Sequence, residues 1–181
     1  MSCISNLSIA RRHFCLALAA WPLAGWASAG PDSRIAGLQR WGSGEFRRFG
    51  FLVYEATLWV AGEDPLLPPL ALRLTYRRNI SGRSITDASV AEMRNLGGVD
   101  SARLMQWSEQ MGRLFPDVRP GDEILGLHLP EGARFYLNER LLGAIEDPAF
   151  ARAFFGIWLD PRSSAPELRS ALLRRPGKRD D

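Results

Sequence analysis

Apolar, aromatic and β-branched residues are densest between Arg47 and Val60, where the sequence is RRFGFLVYEATLWV. Such residues suit a pleated, half-buried strand. Successive side chains in a strand point to opposite faces, and here both faces are mostly apolar. The pattern therefore predicts a central strand that is covered on both sides. Tyr54, Glu55 and Thr57 add polar atoms, so they either find partners among their neighbours or line a cavity.

Further strands are predicted on either side of this segment. Gly42-Ser43-Gly44 is typical of a turn that folds residues 35–41 back as an antiparallel partner. Residues 70–77 alternate between apolar and polar or basic side chains, which predicts a strand with one solvated face carrying Arg73. After a turn at residues 120–122, the pattern predicts a meander of three short strands over residues 124–129, 134–137 and 140–145.

Two amphipathic helices are predicted between these groups of strands. The first is capped by Thr86 or Asp87 and ends at Gly97-Gly98, and the second is capped by Asp100 or Ser101. Their apolar positions recur at helical spacing, which is typical of a core-facing stripe: Val90, Met93 and Leu96, then Leu104, Trp107, Met111, Leu114 and Phe115. Helices between two groups of strands predict an α+β fold with the helices on one side of the sheet.

Two more helices are predicted near the C-terminus. Asp147-Pro148 combines a capping side chain with a proline in the first turn, and that helix ends at Leu159-Asp160-Pro161. Ser164 to Glu167 matches a capping box and begins the last helix, with Leu168 and Leu172 on its apolar side. Residues 174–181 are predicted to be a charged disordered tail.

Residues 1–29 are predicted to be a secretory signal peptide. Arg11 and Arg12 precede an apolar run, and Ala27-Ser28-Ala29 is typical of a cleavage site. The arginines belong either to a twin-arginine export signal or to an ordinary positively charged leader. The apolar run is too short for a spanning helix. We therefore expect a periplasmic protein with one domain over residues 30–173.

Composition then excludes several classes of function. Without residues 1–29 the chain has 152 residues, about one excess positive charge and no cysteine, because Cys3 and Cys15 both precede the predicted cleavage site. No nucleic-acid surface, disulfide or metal site is expected. His128 is the one histidine outside the leader, and we expect it at the rim or in the core rather than in catalysis. The sequence contains no phosphate-binding glycine loop, HExxH or CxxC motif, and no cofactor is expected.

Taken together, the motifs resemble the bacterial exported branch of the chalcone isomerase-like superfamily. The resemblance covers about residues 35–173, and its C-terminal block is the most specific part. The motifs that carry it are Ile80-Ser81-Gly82, Phe115-Pro116, Pro120-Gly121-Asp122, Phe135-Tyr136-Leu137-Asn138, and residues 154–160 and 163–169. It implies an open-faced β-sandwich, in which an antiparallel sheet carries helices on one face and a smaller set of strands lies beside it.

The resemblance also implies positions for a site, at which the plant enzymes close a chalcone to a flavanone. Their central-strand threonine corresponds to a position near Tyr54, their tyrosine to Ile85 and their asparagine to Glu92. Their C-terminal hydroxyl corresponds to Ser163 or Ser164, and their arginine most closely to Arg40, with Arg47 and Arg48 as alternatives. Ile85 has no hydroxyl and an ionised Glu92 cannot donate, so support for an oxyanion is missing.

Non-catalytic members of the superfamily resemble fatty-acid carriers, in which an arginine and a central-strand tyrosine grip a carboxylate. Arg40 and Tyr54 approximate that pair, about one residue out of register, and Thr57 lies on the same strand. The leading hypothesis is an exported protein that binds a small apolar ligand, such as a fatty acid or another apolar carboxylate. The alternatives are an isomerase or intramolecular lyase that uses Tyr54 and Glu92 as acid and base, and an interaction protein with a filled cleft.

Overall fold

The structure, a computed structural model of the chain, describes residues 32–175. Within them a short 3₁₀ helix, Ser33–Ile35, precedes a six-stranded antiparallel sheet whose strands follow one another in chain order. The strands are β1 Gln39–Arg48, β2 Phe51–Val60, β3 Leu70–Tyr76, β4 Glu123–Leu129, β5 Gly132–Leu137 and β6 Arg140–Ile145. The helices are α1 Gly82–Leu96, α2 Ser101–Leu114, α3 Pro148–Leu159 and α4 Pro166–Leu173. The predicted signal peptide and residues 176–181 of the predicted tail lie outside the described range.

The four helices cover one face of the sheet, which confirms the predicted α+β class. Helix α3 packs on β4 and β5, α4 packs on β1 and β2, and α1 packs against α2 and α3. The strands turn alternate residues toward these helices, and Ala56, Leu58 and Val60 of β2 are fully buried there. The meander β4–β6 continues the same sheet and does not form a separate set of strands. No helix in residues 32–175 has the length and apolar character needed to span a bilayer.

Helix α3 fills the core with aromatic rings. Phe154 lies at the centre of this cluster, with its ring centroid 5.0–6.0 Å from those of Phe115, Phe135, Phe150, Phe155 and Trp158. Aromatic pairs at such distances contribute beyond the area that they bury. His128 of β4 stacks on Phe155 with 5.0 Å between centroids and is 6% exposed, so it is a core residue as expected.

The other face of the sheet is only partly covered. The prediction that β2 is central and covered on both sides is wrong, because β2 is the second strand from an edge. On this open face the segment before β1 supplies Asp32, which forms ion pairs with Arg34 and Arg73 at 2.7 and 2.8 Å. The Arg73 guanidinium also lies 4.9 Å from the centre of the Trp59 ring. Arg73 is therefore held by partners and is not simply solvated.

The predicted turn at Gly42-Ser43-Gly44 is wrong, since these residues lie inside β1 and the chain turns at Phe49-Gly50. The two glycines permit close helix packing. A Cβ atom on Gly42 would lie 2.3 Å from the Leu172 carbonyl oxygen, and one on Gly44 would lie 2.8 Å from the Ala171 Cβ. Glycine in a strand therefore marks the approach of α4 here and not a reversal of the chain.

Two helix starts are predicted correctly, one at an Asp-Pro pair and one shortly after a glycine pair. Asp100 caps α2 and Asp147 caps α3, as expected. Helix α1 begins one turn before the predicted start, because the Ser81 hydroxyl accepts the Ser84 N–H at 3.1 Å. The capping box predicted for α4 does not form, because its N-cap residue is Ala165, which has no capping side chain.

Gly82→Ala should destabilise the fold through a backbone clash. A Cβ atom at position 82 would lie 2.0 Å from the Phe115 carbonyl oxygen, so either α1 or the chain after α2 must shift. We expect a loss of about 3 kcal/mol in the free energy of unfolding, measured by urea denaturation. The matched control is Gly112→Ala in α2, where no atom lies within 4 Å. That change should leave stability unchanged or raise it by up to about 1 kcal/mol, and equal losses in both variants would contradict the clash.

Asp147 should make stability depend on pH in acid. Burial opposes ionisation of its carboxyl group, but the Ala149 and Phe150 amides and the Trp107 indole outweigh burial and hold the pKa of Asp147 below its ordinary value of 3.8. The stabilisation is present above pH 3.8 and is lost as the pH falls through the lowered pKa. Asp147→Asn, which keeps a capping oxygen, should therefore flatten the fall of the urea midpoint below about pH 4. An unchanged slope would contradict this assignment.

Candidate functional site

Tyr54 lies beside two other aromatic rings on the helix-covered face of the sheet. The strand register pairs Tyr54 of β2 with Phe46 of β1 and with Tyr76 of β3. The Phe46 ring stacks on Tyr54 at 5.0 Å, and the Tyr76 ring meets it edge-on at 5.9 Å. Tyr76 is 3% exposed, whereas Phe46 and Tyr54 are half-buried. Tyr54 therefore lies at the margin of the core, where part of its surface is open to solvent.

The Tyr54 hydroxyl is held by Trp158. The indole Nε1–H donates to this oxygen at 3.0 Å. Trp158 reaches it because it follows Phe154 by one helical turn on α3, and Phe154 is anchored in the aromatic cluster. Since a phenol both accepts and donates, the hydroxyl hydrogen of Tyr54 stays available for another acceptor.

The environment keeps Tyr54 protonated. Burial strongly raises the pKa of its phenol, the hydrogen bond from Trp158 opposes this, and the negative charge of Glu92 raises the pKa further. Burial likewise raises the pKa of Tyr76. A phenol with a raised pKa is a neutral hydrogen-bond donor at physiological pH and a weak acid.

Helix α1 brings two of the predicted site residues to this region. Ile85 and Glu92 are seven residues apart and so lie on one side of the helix. Ile85 packs half-buried against the core. Glu92 Oε1 accepts the backbone N–H of Ser164 at 2.8 Å, so the carboxylate ties α1 to the loop between α3 and α4. Glu92 is thus a structural acceptor whose charge acts on Tyr54.

The two serines of that loop form hydrogen bonds that involve backbone groups. The Ser163 hydroxyl donates to the Ile157 carbonyl at 2.7 Å and accepts the Ala165 N–H at 3.2 Å, so both of its functions are used. Ser163 is 6% exposed, and Ser164 contributes its N–H to Glu92. A ligand role for Ser163 or Ser164 stays a prediction, and the structure gives both residues other partners.

Arg40 and Thr57 do not join this group. Arg40 pairs with Trp59 across the strands and Thr57 pairs with Arg73, which places both on the open face of the sheet. The expected proximity of Arg40 to Tyr54 is therefore wrong. The reason is a bulge at Trp41 in β1, which leaves Trp41 and not Arg40 on the side of the helices. Trp41 is 6% exposed there, and its indole N–H donates to the Leu173 carbonyl at 3.2 Å.

The other polar residues singled out on β1 and β2 also lie elsewhere. Glu55 forms an ion pair with Arg77 at 2.9 Å on the open face. Arg47 pairs with Glu45 at 2.7 Å near the hairpin turn, and the Arg48 guanidinium lies 5.5 Å from the Phe49 ring. The polar residues Tyr54, Glu55 and Thr57 of β2 are therefore divided between the two faces of the sheet and do not line one cavity.

Sequence reasoning missed three contributors to the site. Phe46 and Tyr76 are recognised only once the strand register is known, and Trp158 only once helix α3 is placed on the sheet. Apart from these three side chains, three buried polar atoms have no hydrogen-bond partner among the described residues: the Thr86 hydroxyl, Gln110 Oε1 and His128 Nδ1. An unpartnered buried hydroxyl carries a free-energy cost that a ligand can relieve.

An open pocket of about 250 Å³ lies away from Tyr54. It is bounded by the C-terminal end of α1, the start of α2 and one side of α3. Its lining combines apolar side chains with basic ones, among them Met93, Leu96, Ala153, Arg103, Arg152 and Arg162. The Arg162 guanidinium is held by Asp160, and its hydrogen bond to that carboxylate lowers the pKa of Asp160 to about 2. The volume corresponds to roughly eight water molecules.

The Tyr54 group can recognise a hydrogen-bond acceptor attached to an apolar body. It offers one neutral donor, aromatic walls from Phe46 and Trp158, and a nearby negative charge at Glu92. In residues 32–175 no three His, Cys, Asp or Glu side chains are grouped so as to hold a metal ion. A neutral donor beside apolar rings suits recognition of one polar end of an apolar molecule.

Comparison with known proteins identifies relatives of this fold. Residues 38–174 match the family described as chalcone isomerase-like. A protein of Haemophilus influenzae, named only as uncharacterized, is 32% identical over 105 residues. That alignment covers 58% of this chain and 52% of the relative, so the chain matches about half of the relative's length.

A solved structure shares the architecture. The fatty-acid binding protein of Arabidopsis thaliana superposes with a TM-score of 0.57 and 14% sequence identity. The match covers 76% of this chain and 87% of the plant chain. At this level of identity the likeness establishes the fold.

Tyr54→Phe should destabilise the protein by removing the acceptor for the Trp158 indole. A buried donor left without a partner costs about 1–3 kcal/mol, which urea denaturation would measure. Tyr76→Phe is the matched control, because Tyr76 is at least as buried and no hydrogen bond to its hydroxyl is seen in residues 32–175. Combining Tyr54→Phe with Trp158→Phe should give less than the sum of the single losses. Strictly additive losses would show that the 3.0 Å contact carries no energy.

Proposed function

The chain belongs to the chalcone isomerase-like family, and we propose that it binds a small apolar ligand at Tyr54 without catalysing a reaction on it. The observation that carries this proposal is the hydroxyl of the half-buried Tyr54, whose oxygen accepts the Trp158 indole N–H and whose hydrogen has no acceptor among the described residues. A single oriented polar group in an apolar wall is typical of a site that recognises an apolar molecule by one polar end. The fatty-acid binding protein of Arabidopsis thaliana supports the proposal through its shared fold.

Three features of the site oppose catalysis. The raised pKa of Tyr54 makes the phenol a weak acid, one oxygen of Glu92 accepts the Ser164 amide, and Ile85 supplies no polar side-chain atom. An isomerase or intramolecular lyase that used Tyr54 and Glu92 as acid and base would need to exchange protons with both. Arg40, the residue nearest in sequence to the arginine of the plant enzymes, lies on the other face of the sheet. A developing oxyanion would therefore lack a positive charge from Arg40.

The negative charge near Tyr54 indicates which kind of ligand head group the site would favour. Burial is the main cause of the raised pKa of Tyr54, and the negative charge of Glu92 adds to it. The same charge disfavours a ligand carboxylate beside Tyr54. A fatty acid is thus expected to bind less tightly than the corresponding alcohol, whose hydroxyl accepts the Tyr54 hydrogen without a charge.

Two further candidates each rest on one observation. The pocket beside Ala153 already offers open volume, so it is the second candidate position for the ligand. The close packing of Phe46, Tyr76 and Trp158 around Tyr54 favours an interaction protein whose cleft is filled. Export to the periplasm is also part of the proposal, and the leader at residues 1–29 supports it.

Ligand binding can be tested with dodecan-1-ol and dodecanoate as probes. Titration followed by intrinsic fluorescence should detect binding, because Trp158 lies against the proposed site. Tyr54→Phe should weaken dodecanol binding about tenfold, which is the loss expected for one hydrogen bond. Glu92→Gln should strengthen dodecanoate binding relative to dodecanol, because it removes the opposing charge.

Two controls separate the candidates. Tyr76→Phe keeps Tyr54 and Trp158 and should leave both affinities unchanged. Gly156→Leu extends a side chain into the second pocket, where a Cβ atom has its nearest neighbour at 3.6 Å. If Gly156→Leu abolishes binding and Tyr54→Phe does not, the ligand occupies the second pocket. Absence of binding by the folded wild type would overturn the proposal and favour the filled cleft.

A further inference from the structure

The turn between β1 and β2 exposes two phenylalanines. We call residues 47–51, with sequence RRFGF, the hairpin tip. Phe49 is 87% exposed and Phe51 is 59% exposed, the former among the most exposed large apolar side chains of residues 32–175. Phenylalanine gains free energy when it is removed from water, so two such rings at a protruding tip form a candidate contact surface.

The backbone at the tip is unfavourable for the residue that it carries. Phe49 has φ = +51° and Gly50 has φ = +81°, which is the left-handed conformation of a tight hairpin turn. Glycine and asparagine adopt this conformation at low cost, whereas a bulky residue there is an outlier. The left-handed backbone therefore carries a cost at Phe49, and its ring is left 87% exposed instead of packed in the core.

Basic side chains surround the two rings. Arg47 is paired with Glu45 and Arg77 with Glu55, so these charges are compensated. Arg48 and Arg78 form no ion pair with a described residue, and their guanidinium groups lie 5.5 Å from the Phe49 ring and 4.6 Å from the Phe51 ring. The tip thus combines exposed aromatic rings with the positive charge of Arg48, and the neighbouring Arg78, whose Nε–H donates to the Leu52 carbonyl at 3.3 Å, adds a second.

We propose that the hairpin tip docks onto the surface of an anionic lipid bilayer. Phe49 and Phe51 would enter the boundary between head groups and acyl chains, while Arg48 and Arg78 would contact lipid phosphates. Each arginine close to an anionic surface adds to the attraction, and aromatic rings beside them supply the apolar contribution. A protein partner with an acidic groove would need complementary shape, whereas a bilayer accepts a small protruding tip without one.

Docking of the hairpin tip does not depend on ligand binding, but it would place the ligand site close to a bilayer. Tyr54 lies three residues after Phe51 on β2, a separation of about 10 Å along a strand. A docked tip would hold the Tyr54 site beside a source of apolar molecules. Vesicle binding and dodecanol binding are separate measurements, so either can fail while the other succeeds.

The test is sedimentation of the full chain with vesicles made of equal parts phosphatidylglycerol and phosphatidylcholine. Phe49→Asn should lower the partition coefficient for these vesicles at least about tenfold, because it removes one ring that would be buried in the bilayer. Asparagine suits the left-handed turn, so the variant should unfold at the same or a higher urea concentration than wild type. The control is Leu67→Asn, which removes a 61% exposed side chain from the loop at the opposite end of β2 and should leave binding unchanged.

A local readout separates the tip from residues 1–31, which every variant shares. Subtracting the wild-type emission spectrum from that of Phe49→Trp isolates the emission of the tryptophan at position 49. The maximum of this difference spectrum should move to shorter wavelength when these vesicles are added. Vesicles of phosphatidylcholine alone should give a smaller shift, and Arg48→Gln should weaken binding to the anionic vesicles. No shift from Trp at position 49, or equal loss of binding in Phe49→Asn and Leu67→Asn, would overturn the proposal. A shift of equal size on both kinds of vesicle would overturn its electrostatic part.

Discussion

The aromatic cluster around Phe154 is the interaction on which the other parts of this molecule depend. Phe154 joins α3 to β5 through Phe135 and to the end of α2 through Phe115. The same helix carries Trp158, and so the packing of Phe154 determines where the indole meets Tyr54. At its first turn α3 is fixed by Phe150, whose ring contacts that of Trp107 on α2. The packed core, and not a flexible loop, therefore fixes the geometry of the candidate site.

Periodicity predicted most of the fold, since strands and helices differ in the spacing of their apolar residues. The meander of residues 123–145 and helix α3 were predicted close to their actual bounds. The role of the glycines in β1 could not be assigned from the sequence. Gly42 and Gly44 have the composition of a turn, but they serve the approach of α4, a contact with residues far along the chain. Only the packed structure distinguishes these two uses of glycine.

The site was less predictable because its members depend on register and on distant contacts. One extra residue at Trp41 placed Arg40 on the opposite face from Tyr54. The hydrogen bond from Ser164 to Glu92 joins residues that are 72 positions apart, and no local pattern reports it. Tyr54 was singled out because a polar aromatic residue within an apolar strand is visible in the sequence, and its role in binding stays a prediction.

The order of the strands has a consequence for how the molecule assembles. Within each of the groups β1–β3 and β4–β6, every strand pairs with its neighbour in sequence through a short connection. Pairing of β3 with β4 instead closes a long loop that contains α1 and α2, and such closure is entropically slow. Tyr54 belongs to the first group, whereas Trp158 follows the second. Their contact joins residues 104 positions apart, so it closes a longer loop than any strand pair of this sheet and is present only when both halves of the sheet have met.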